Sequence, residues 1–262
     1  MPEFTTLRIR VEDEIAILEF DRQRALNTIT AVMVKELRAA FEYFETADEI
    51  RGVILTGAGN KSFIGGADLS EFVNMGSFEL REFADYGQNY ICSYIENFPK
   101  PVVAAVNGYA LGGGSEIAML CDIRIASKNA VFAQPEATIG IMTLYGATKR
   151  LQRLVGFGRA KEMIMTGRWV YADEALAIGL VSKVVEQEDL IPAAKEILFQ
   201  IFKAAPRSVY FSKIAINRAA DVDVESAAEI ERDLAAILFN TEDKKEGLEA
   251  FLSKRKPEYK GR

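Results

Sequence analysis

The stretch Val102-Val103-Ala104-Ala105-Val106-Asn107-Gly108-Tyr109-Ala110-Leu111-Gly112-Gly113-Gly114-Ser115-Glu116 carries the reading of the fold. The apolar run from Pro101 to Val106 has the length and composition of a buried strand, and a helix begins inside the glycine run. Strand-then-helix units recur on both sides of it. Upstream, residues 7–11 and 15–20 flank the polar turn Glu12-Asp13-Glu14 and predict an antiparallel hairpin. Thr30 then precedes a helix whose buried face is Met33, Leu37, Phe41 and Phe44, at spacings of four and three. Gly52 to Gly57 reads as a short buried strand, and a second helix carrying Phe83, Tyr86, Tyr90 and Tyr94 ends before Pro99. Downstream, residues 123–126 and 131–133 are β-like, and the second run feeds into Gln134-Pro135-Glu136. The repetition predicts an α/β core whose loops at one end of the strands build a site.

From about residue 147 the pattern turns helical, over 147–155, 159–165, 173–178 and 190–204, with three further helices beyond Pro206. The stripe Ala227, Ile230, Leu234, Ile237 and Leu238 requires burial against the core or another subunit. The expected organisation is therefore a core over residues 1–199 and a helical region over 200–262.

Hydrophobic residues make up 49% of the 262 and charged residues 27%, which is the composition of a chain that folds throughout. A formal net charge of −6 argues against a nucleic-acid binder working through a general basic field, since only Lys254-Arg255-Lys256 is locally basic. Cys92 and Cys121 are too few for a disulfide framework and lack metal-ligand spacing, so they are expected as buried thiols in a reducing compartment, the cytoplasm. No leader-like segment precedes Leu7, and no apolar run reaches the roughly 20 residues a spanning helix requires. Neither a secreted precursor nor a membrane protein is expected. The chain has no histidine, which excludes Ser-His-Asp and Cys-His hydrolysis and His-based zinc sites.

Carboxylates are left to do the chemistry. The N–H groups of Gly112 to Gly114, at a strand end and a helix start, suit an oxyanion hole; the alternative is a tight turn that needs glycine for steric reasons. Glu116 in the first turn of that helix is either a site carboxylate or a surface residue complementing the dipole. Glu136 is either its partner or a solvated loop carboxylate, and two such groups converging on one water can divide proton removal and proton delivery. Phe63-Ile64-Gly65-Gly66-Ala67-Asp68-Leu69 offers a second N–H for an oxyanion, with Asp68 placed to cap the next helix. Neither a GxGxxG nor a P-loop pattern is present. The residues alone reach an acyl-group enzyme and no further.

At these positions the sequence resembles the crotonase superfamily, the enoyl-CoA hydratases and isomerases. The resemblance runs through Asp21-Arg22-Gln23-Arg24-Ala25-Leu26-Asn27, Ile64 to Leu69, Pro99 to Glu116, Cys121-Asp122, Gln134-Pro135-Glu136, Glu246-Gly247 to Phe251, and Lys254-Arg255-Lys256. It implies a crotonase-like α/β core of repeated ββα units with a C-terminal helical oligomerisation region. It further implies that the N–H groups of Ala67 and Gly113 hold a thioester oxygen, and that Glu116 and Glu136 activate water for addition across a 2,3 double bond. Asp68, Leu69, Gly112, Leu144 and Tyr145 would line the substrate, Ala25 would meet the adenine, and Arg24 the phosphates. Phe251 and Lys254 would complete the CoA pocket of a neighbouring subunit in a homotrimer or dimer of trimers. No cofactor or metal is implied, because coenzyme A is part of the substrate.

The implied activity is hydration of a short- or medium-chain 2-enoyl-CoA. Double-bond isomerisation or another acyl-CoA lyase or hydrolase reaction remains the alternative, and the acidic balance disfavours a non-catalytic RNA-binding relative. Two departures stand out. Thr143-Leu144-Tyr145-Gly146-Ala147-Thr148 replaces the family's usual Pro-Gly-Ala-Gly-Gly-Thr, and Gln23 stands where a proline is usual. Leu144 and Tyr145 are expected to reshape the acyl pocket, with the Tyr145 hydroxyl meeting either a structural partner or a polar substrate group.

Overall fold

The computed structural model describes residues 3–262, so the first two residues of the expected 1–199 core lie outside it. The chain divides into two compact units, one holding the described residues through Glu96 with Val102–Lys195, the other Asn97–Pro101 with Glu196–Arg262.

In the first unit, β1 (Leu7–Glu12) and β2 (Ile15–Phe20) pair as an antiparallel hairpin. Its two turn residues, Asp13 and Glu14, have φ of 54° and 63°, the signs a two-residue turn needs to match strand twist. Thr30 caps α1 (Ala31–Thr46) by accepting from the Met33 N–H at 3.2 Å, and Met33, Leu37, Phe41 and Phe44 are buried. β3 (Gly52–Gly57) and β4 (Ser62–Ile64) follow. Next come α2 (Ser77–Tyr86), a π-helical turn at Gly87–Cys92, and α3 (Ser93–Glu96). The aromatic spacing predicted one uninterrupted helix here; the structure instead widens its middle turn.

β5 (Val102–Val106) and β6 (Tyr109–Leu111) lead into α4 (Gly113–Leu120), and β7 (Ile123–Ser127) and β8 (Val131–Ala133) complete the repeating section. Then come α5 (Ala147–Val155), α6 (Phe157–Thr166), β9 (Val170–Tyr171), α7 (Ala172–Ala177), β10 (Lys183–Val185) and α8 (Leu190–Ile201). The helical reading of this stretch misses β9 and β10. Each is only two or three residues long and adds to a sheet edge, β9 beside β8 and β10 beside β7. Strands that short show no periodicity, and pairing alone creates them.

From β3 to β8, consecutive strands alternate between two sheets. One sheet has the order β1-β2-β3-β5-β7-β10 and the other β4-β6-β8-β9. The pairs β3/β4, β5/β6 and β7/β8 each send one strand to either sheet, so each ββα unit stacks on the last through parallel pairing. Strands β3 and β5 are buried along their whole length, which explains their unbroken apolar sequences.

Asparagines join the corners of this stack. Buried Asn107, between β5 and β6, donates to the carbonyls of Gly57 and Gly59 at 2.9 and 2.8 Å and accepts from the Gly57 N–H at 3.0 Å. Asn27 donates to the Ser62 carbonyl at 2.8 Å, and Asn129 to those of Asn60 and Asn107 at 3.0 and 3.2 Å. Corner peptide groups that no strand satisfies are thereby paired.

The second unit is helical, with α9 (Pro206–Ala219), α10 (Val224–Leu238) and α11 (Glu242–Leu252). Buried Asp243 ties down the chain end by accepting from the N–H groups of Lys260 and Gly261 at 2.7 and 2.8 Å. The apolar stripe of α10 packs on α9, yet no α10 residue is fully buried and Ile237 is 51% exposed. No helix among the described residues is long and apolar enough to cross a membrane, and none of their side chains cluster as a metal site.

The corner bonding predicts that Asn107→Ala lowers unfolding free energy by about 3 kcal/mol, because several buried backbone groups lose their partner. Asn240→Ala, at an exposed position, is expected to stay within about 0.5 kcal/mol. Denaturant unfolding of both variants checks this, and equal midpoints would remove the structural role given to the corners.

Candidate active site

Three adjacent parallel strands, β4, β6 and β8, end side by side and deliver the candidate residues. β4 leads to Gly65-Gly66-Ala67, β6 to Gly112-Gly113 and α4, and β8 to Gln134-Pro135-Glu136. Ala67, Leu69, Gly112, Gly113, Glu116, Glu136, Leu144 and Tyr145 all line one cavity of about 150 Å³.

Each glycine of the run has a separate task. Gly112 has φ of 51°, and a Cβ there would come within 2.8 Å of Glu136 Oε1, so its bare backbone makes room for the carboxylate. At Gly114 a Cβ would lie 2.1 Å from the Ile64 carbonyl oxygen, so α4 packs on β4 only through glycine. Gly113 opens α4, and its N–H has no acceptor within the helix. On the facing loop, the Ile29 N–H donates to the Gly66 carbonyl and the Asp68 N–H to the Ile29 carbonyl, both at 2.8 Å. Backbone alternation turns the Ala67 N–H away from that pairing, and it donates to no other described residue. The steric reading of the glycine run and the oxyanion reading are thus both served, by different glycines.

Glu116 is 2% exposed, so the surface alternative fails. Its Oε1 accepts from the N–H groups of Tyr145 and Ala147, both at 2.9 Å. Burial pushes its carboxyl up to about 7; the Glu136 charge adds to the rise, while the two N–H groups and the Arg150 cation oppose it. Glu136 is half-buried, burial raises it as well, and its Oε2 is enclosed with no hydrogen-bond partner. Two carboxylates with raised pKa facing one cavity mark a site for proton transfer.

The departure segment forms the cavity wall. The Gln88 amide holds the Leu144 carbonyl at 2.6 Å. Tyr145 is 6% exposed, and its ring stacks on Phe83, which meets Phe72 edge-on. The ring fits because Gly87 has no side chain; a Cβ there would lie 2.2 Å from Tyr145 Cε1. A π-turn at a functional wall is a recurring use of that geometry. The Tyr145 hydroxyl, raised by burial, has no hydrogen-bond partner among the described residues, so the expected structural partner is not found.

Asp68 sits elsewhere. Its carboxylate accepts from the Ser70 hydroxyl at 2.7 Å and from Arg22 Nη2 at 3.1 Å, and both hold it below its ordinary range, the hydroxyl most. It is a cap and an ion-pair partner, and it does not line the cavity. Arg22 also donates to the Thr28 carbonyl at 2.7 Å, and the Gly65 N–H reaches the Leu26 carbonyl at 2.8 Å. The 22–29 loop is therefore fastened to the Gly65-Gly66-Ala67 loop despite Gln23 standing in for proline. Exposed Arg24 and half-exposed Ala25 line a shallow depression with Asp21, Arg22 and Gln23. Phe251 and Lys254 belong to the second unit, where Phe251 is 82% exposed and Lys254 has φ of 54° just beyond α11.

Sequence reading missed Arg22, Gln88, Arg150 and the Phe72–Phe83 wall. Only Phe83 stood out beforehand, as one aromatic in a helical stripe. Cys92 and Cys121 are buried thiols outside any disulfide, and burial pushes Cys92 up to about 12, so it is unreactive.

Comparison with known proteins places the chain in a family. The family model described as enoyl-CoA hydratase/isomerase matches residues 10–262. A protein of Clostridium acetobutylicum named short-chain-enoyl-CoA hydratase is 47% identical over 98% of both chains. One of Syntrophomonas wolfei named crotonyl-CoA hydratase is 42% identical over the same shares. The crystal structure of an enoyl-CoA hydratase from Bacillus anthracis superposes with a TM-score of 0.92 at 37% identity, covering 98% of this chain and 100% of that one. With its strand ends, glycine run and glutamate pair arranged in this way, the chain belongs to the enoyl-CoA hydratase/isomerase family of the crotonase superfamily.

Proposed function

We propose that the protein is an enoyl-CoA hydratase, a hydro-lyase acting on short-chain 2-enoyl-CoA thioesters. The observation that carries this reading is the lining of one cavity by Glu116, Glu136 and the unused N–H groups of Ala67 and Gly113. The thioester oxygen accepts from both N–H groups, which stabilise it most as charge develops. Glu116, held by two N–H donors that favour its ionised form, removes a proton from water as the water oxygen bonds to C3. The electron pair of the double bond moves into the thioester as an enolate. Glu136, whose enclosed and unpaired Oε2 favours the protonated form, delivers a proton to C2. The sum is H and OH added across the bond, and exchange of one proton with solvent resets the pair. No redox partner or metal enters this balance. An isomerase needs one shuttling base, so a second carboxylate fixed in the cavity supports hydration over that alternative.

The Arg24-Ala25 depression would take the CoA phosphates and adenine, and Phe251 and Lys254 would reach the CoA of a neighbouring subunit in a trimer or dimer of trimers. The half-covered α10 stripe and exposed Phe251 support such an assembly. Two buried cysteines outside any disulfide support a reducing, cytoplasmic compartment.

Glu116→Gln and Glu136→Gln are each expected to cut kcat by roughly 10²–10⁴-fold with KM for but-2-enoyl-CoA little changed. In the parent, kcat should fall on the acid side with a midpoint near Glu116's value of about 7. Near-parental turnover in either variant, with the water adduct verified by mass, would overturn the paired-carboxylate reading.

Stability should move the opposite way. Glu116 is raised from 4.5 to about 7 on folding, so its contribution is fully present below 4.5 and is lost as pH rises through 7. Glu116→Gln should therefore gain on the parent across that window, by up to about 3 kcal/mol at pH 8 relative to pH 4. Unfolding midpoints that track one another across pH would refute this.

Tyr145 and Phe83 close the acyl end of the cavity. Tyr145→Ala keeps the backbone donor to Glu116 and should raise kcat/KM for oct-2-enoyl-CoA relative to but-2-enoyl-CoA tenfold or more, as expected when a few methylenes gain a buried place. An unchanged ratio would take chain-length selection away from this wall.

A further inference from the structure

Glu116 is held by two peptide N–H groups, and the peptide between them is itself held. Arg150, in the first turn of α5, donates from Nη1 to the Tyr145 carbonyl at 2.9 Å. Its Nε and Nη2 form a fork on Glu96, at 2.9 and 2.7 Å to the two carboxylate oxygens. The pair is mostly buried, with side-chain exposures of 11% for Arg150 and 22% for Glu96. A cation in the first turn of a helix is opposed by the helix dipole, and burial opposes it again. The Glu96 fork offsets both costs, which identifies the arrangement as built rather than incidental.

The short segment Tyr145-Gly146-Ala147 is thus gripped from opposite sides. Its Tyr145 carbonyl faces Arg150, while the N–H groups of Tyr145 and Ala147 both face Glu116 Oε1. Just before it, the Leu144 carbonyl is held by Gln88. If Arg150 is removed, the Tyr145–Gly146 peptide, which lies between the two donor peptides, is free to rotate and the donors on either side shift from the carboxylate. The charge acts alongside the geometry. The groups that face Glu116 electrostatically are Glu136, which disfavours its ionised form, and Arg150, which favours it; neutral Tyr145 and Cys92 lie close enough to feel its charge.

We propose that Arg150, anchored by Glu96, is a positioning residue for hydration, gripping the Tyr145–Gly146 peptide so that Glu116 is aimed at water. The proposal rests on the hydratase reading for its consequence in turnover, but not for its effect on Glu116 itself. Two measurements keep them apart. The first follows the Glu116 carboxyl band against pH by infrared difference between each protein and its Glu116→Gln counterpart, with no substrate present. Arg150→Gln should shift the Glu116 midpoint upward by about one pH unit, whereas Arg150→Lys, which keeps the charge and loses the fork, should shift it upward by less. The second measures kcat and KM for but-2-enoyl-CoA. Both Arg150 variants should lose tenfold or more in kcat with KM changed less than threefold, and Arg150→Gln should also carry the acid limb of kcat upward.

A Glu116 midpoint in Arg150→Gln equal to the parent's overturns the proposal whether or not the protein hydrates any enoyl-CoA. If Arg150→Gln does not fold, Arg150→Lys decides: a parental kcat overturns the positioning role, and a tenfold loss with a midpoint raised by less than one unit supports it. Absence of hydration in the parent, together with a shifted midpoint in Arg150→Gln, would sink the hydratase reading and leave the control of Glu116 standing.

Discussion

Parallel pairing among three strands of three residues each, β4, β6 and β8, is the constraint on which the rest of the molecule depends. Strands so short contribute little on their own, and their alignment comes from the longer strands β3, β5 and β7 of the neighbouring sheet. The corner asparagines transmit that alignment, since Asn107 bonds to the β3/β4 corner and Asn129 to the β5/β6 corner. A shift of one residue in this stack would turn side chains to the wrong face and pull Ala67, Gly113 and Glu136 out of their common cavity. The apolar core thus acts in the chemistry by setting the register of the ends.

Burial of Glu116 gives the site both its reactivity and its cost. A carboxylate sealed in the core is destabilising as an anion, and the protein meets that with two N–H donors and one cation at the next remove. Supporting groups form a line from Glu96 through Arg150 and the 145–147 backbone to the reacting oxygen. The π-turn supports the same segment from another side, with Gln88 holding Leu144 and the bare Gly87 admitting the Tyr145 ring. Leu144 and Tyr145 are thus accommodated at 87–88.

Much of the fold was legible before any coordinates. The hairpin, α1 with Thr30 as its cap, β3, β5 and the helix starting in the glycine run follow from periodicity and turn chemistry, because each is determined by neighbours close in sequence. β9 and β10 were invisible, since they are strands only by virtue of the partner beside them. The widened turn at Gly87–Cys92 was hidden for a similar reason: its aromatic residues keep a helical spacing, and only the Tyr145 ring packed against Gly87 explains the extra room. At the site, Glu116 and Glu136 stood out as carboxylates beside glycine-rich backbone, and Asp68 as a helix cap. Its carboxylate is occupied by Ser70 and Arg22.

By itself the sequence determined that this chain is an α/β protein without imidazole chemistry, with two glutamates and two glycine-bearing loops at strand ends. Composition and spacing act locally, and a missing residue type excludes chemistry in any fold. Only the tertiary structure decided that Glu116 is buried and raised, that Tyr145 finds no partner for its hydroxyl, and that Arg150 stands behind the donors to Glu116. Desolvation and charge act through space, and the groups responsible lie tens of residues apart in the chain, from Glu96 to Glu116 to Arg150.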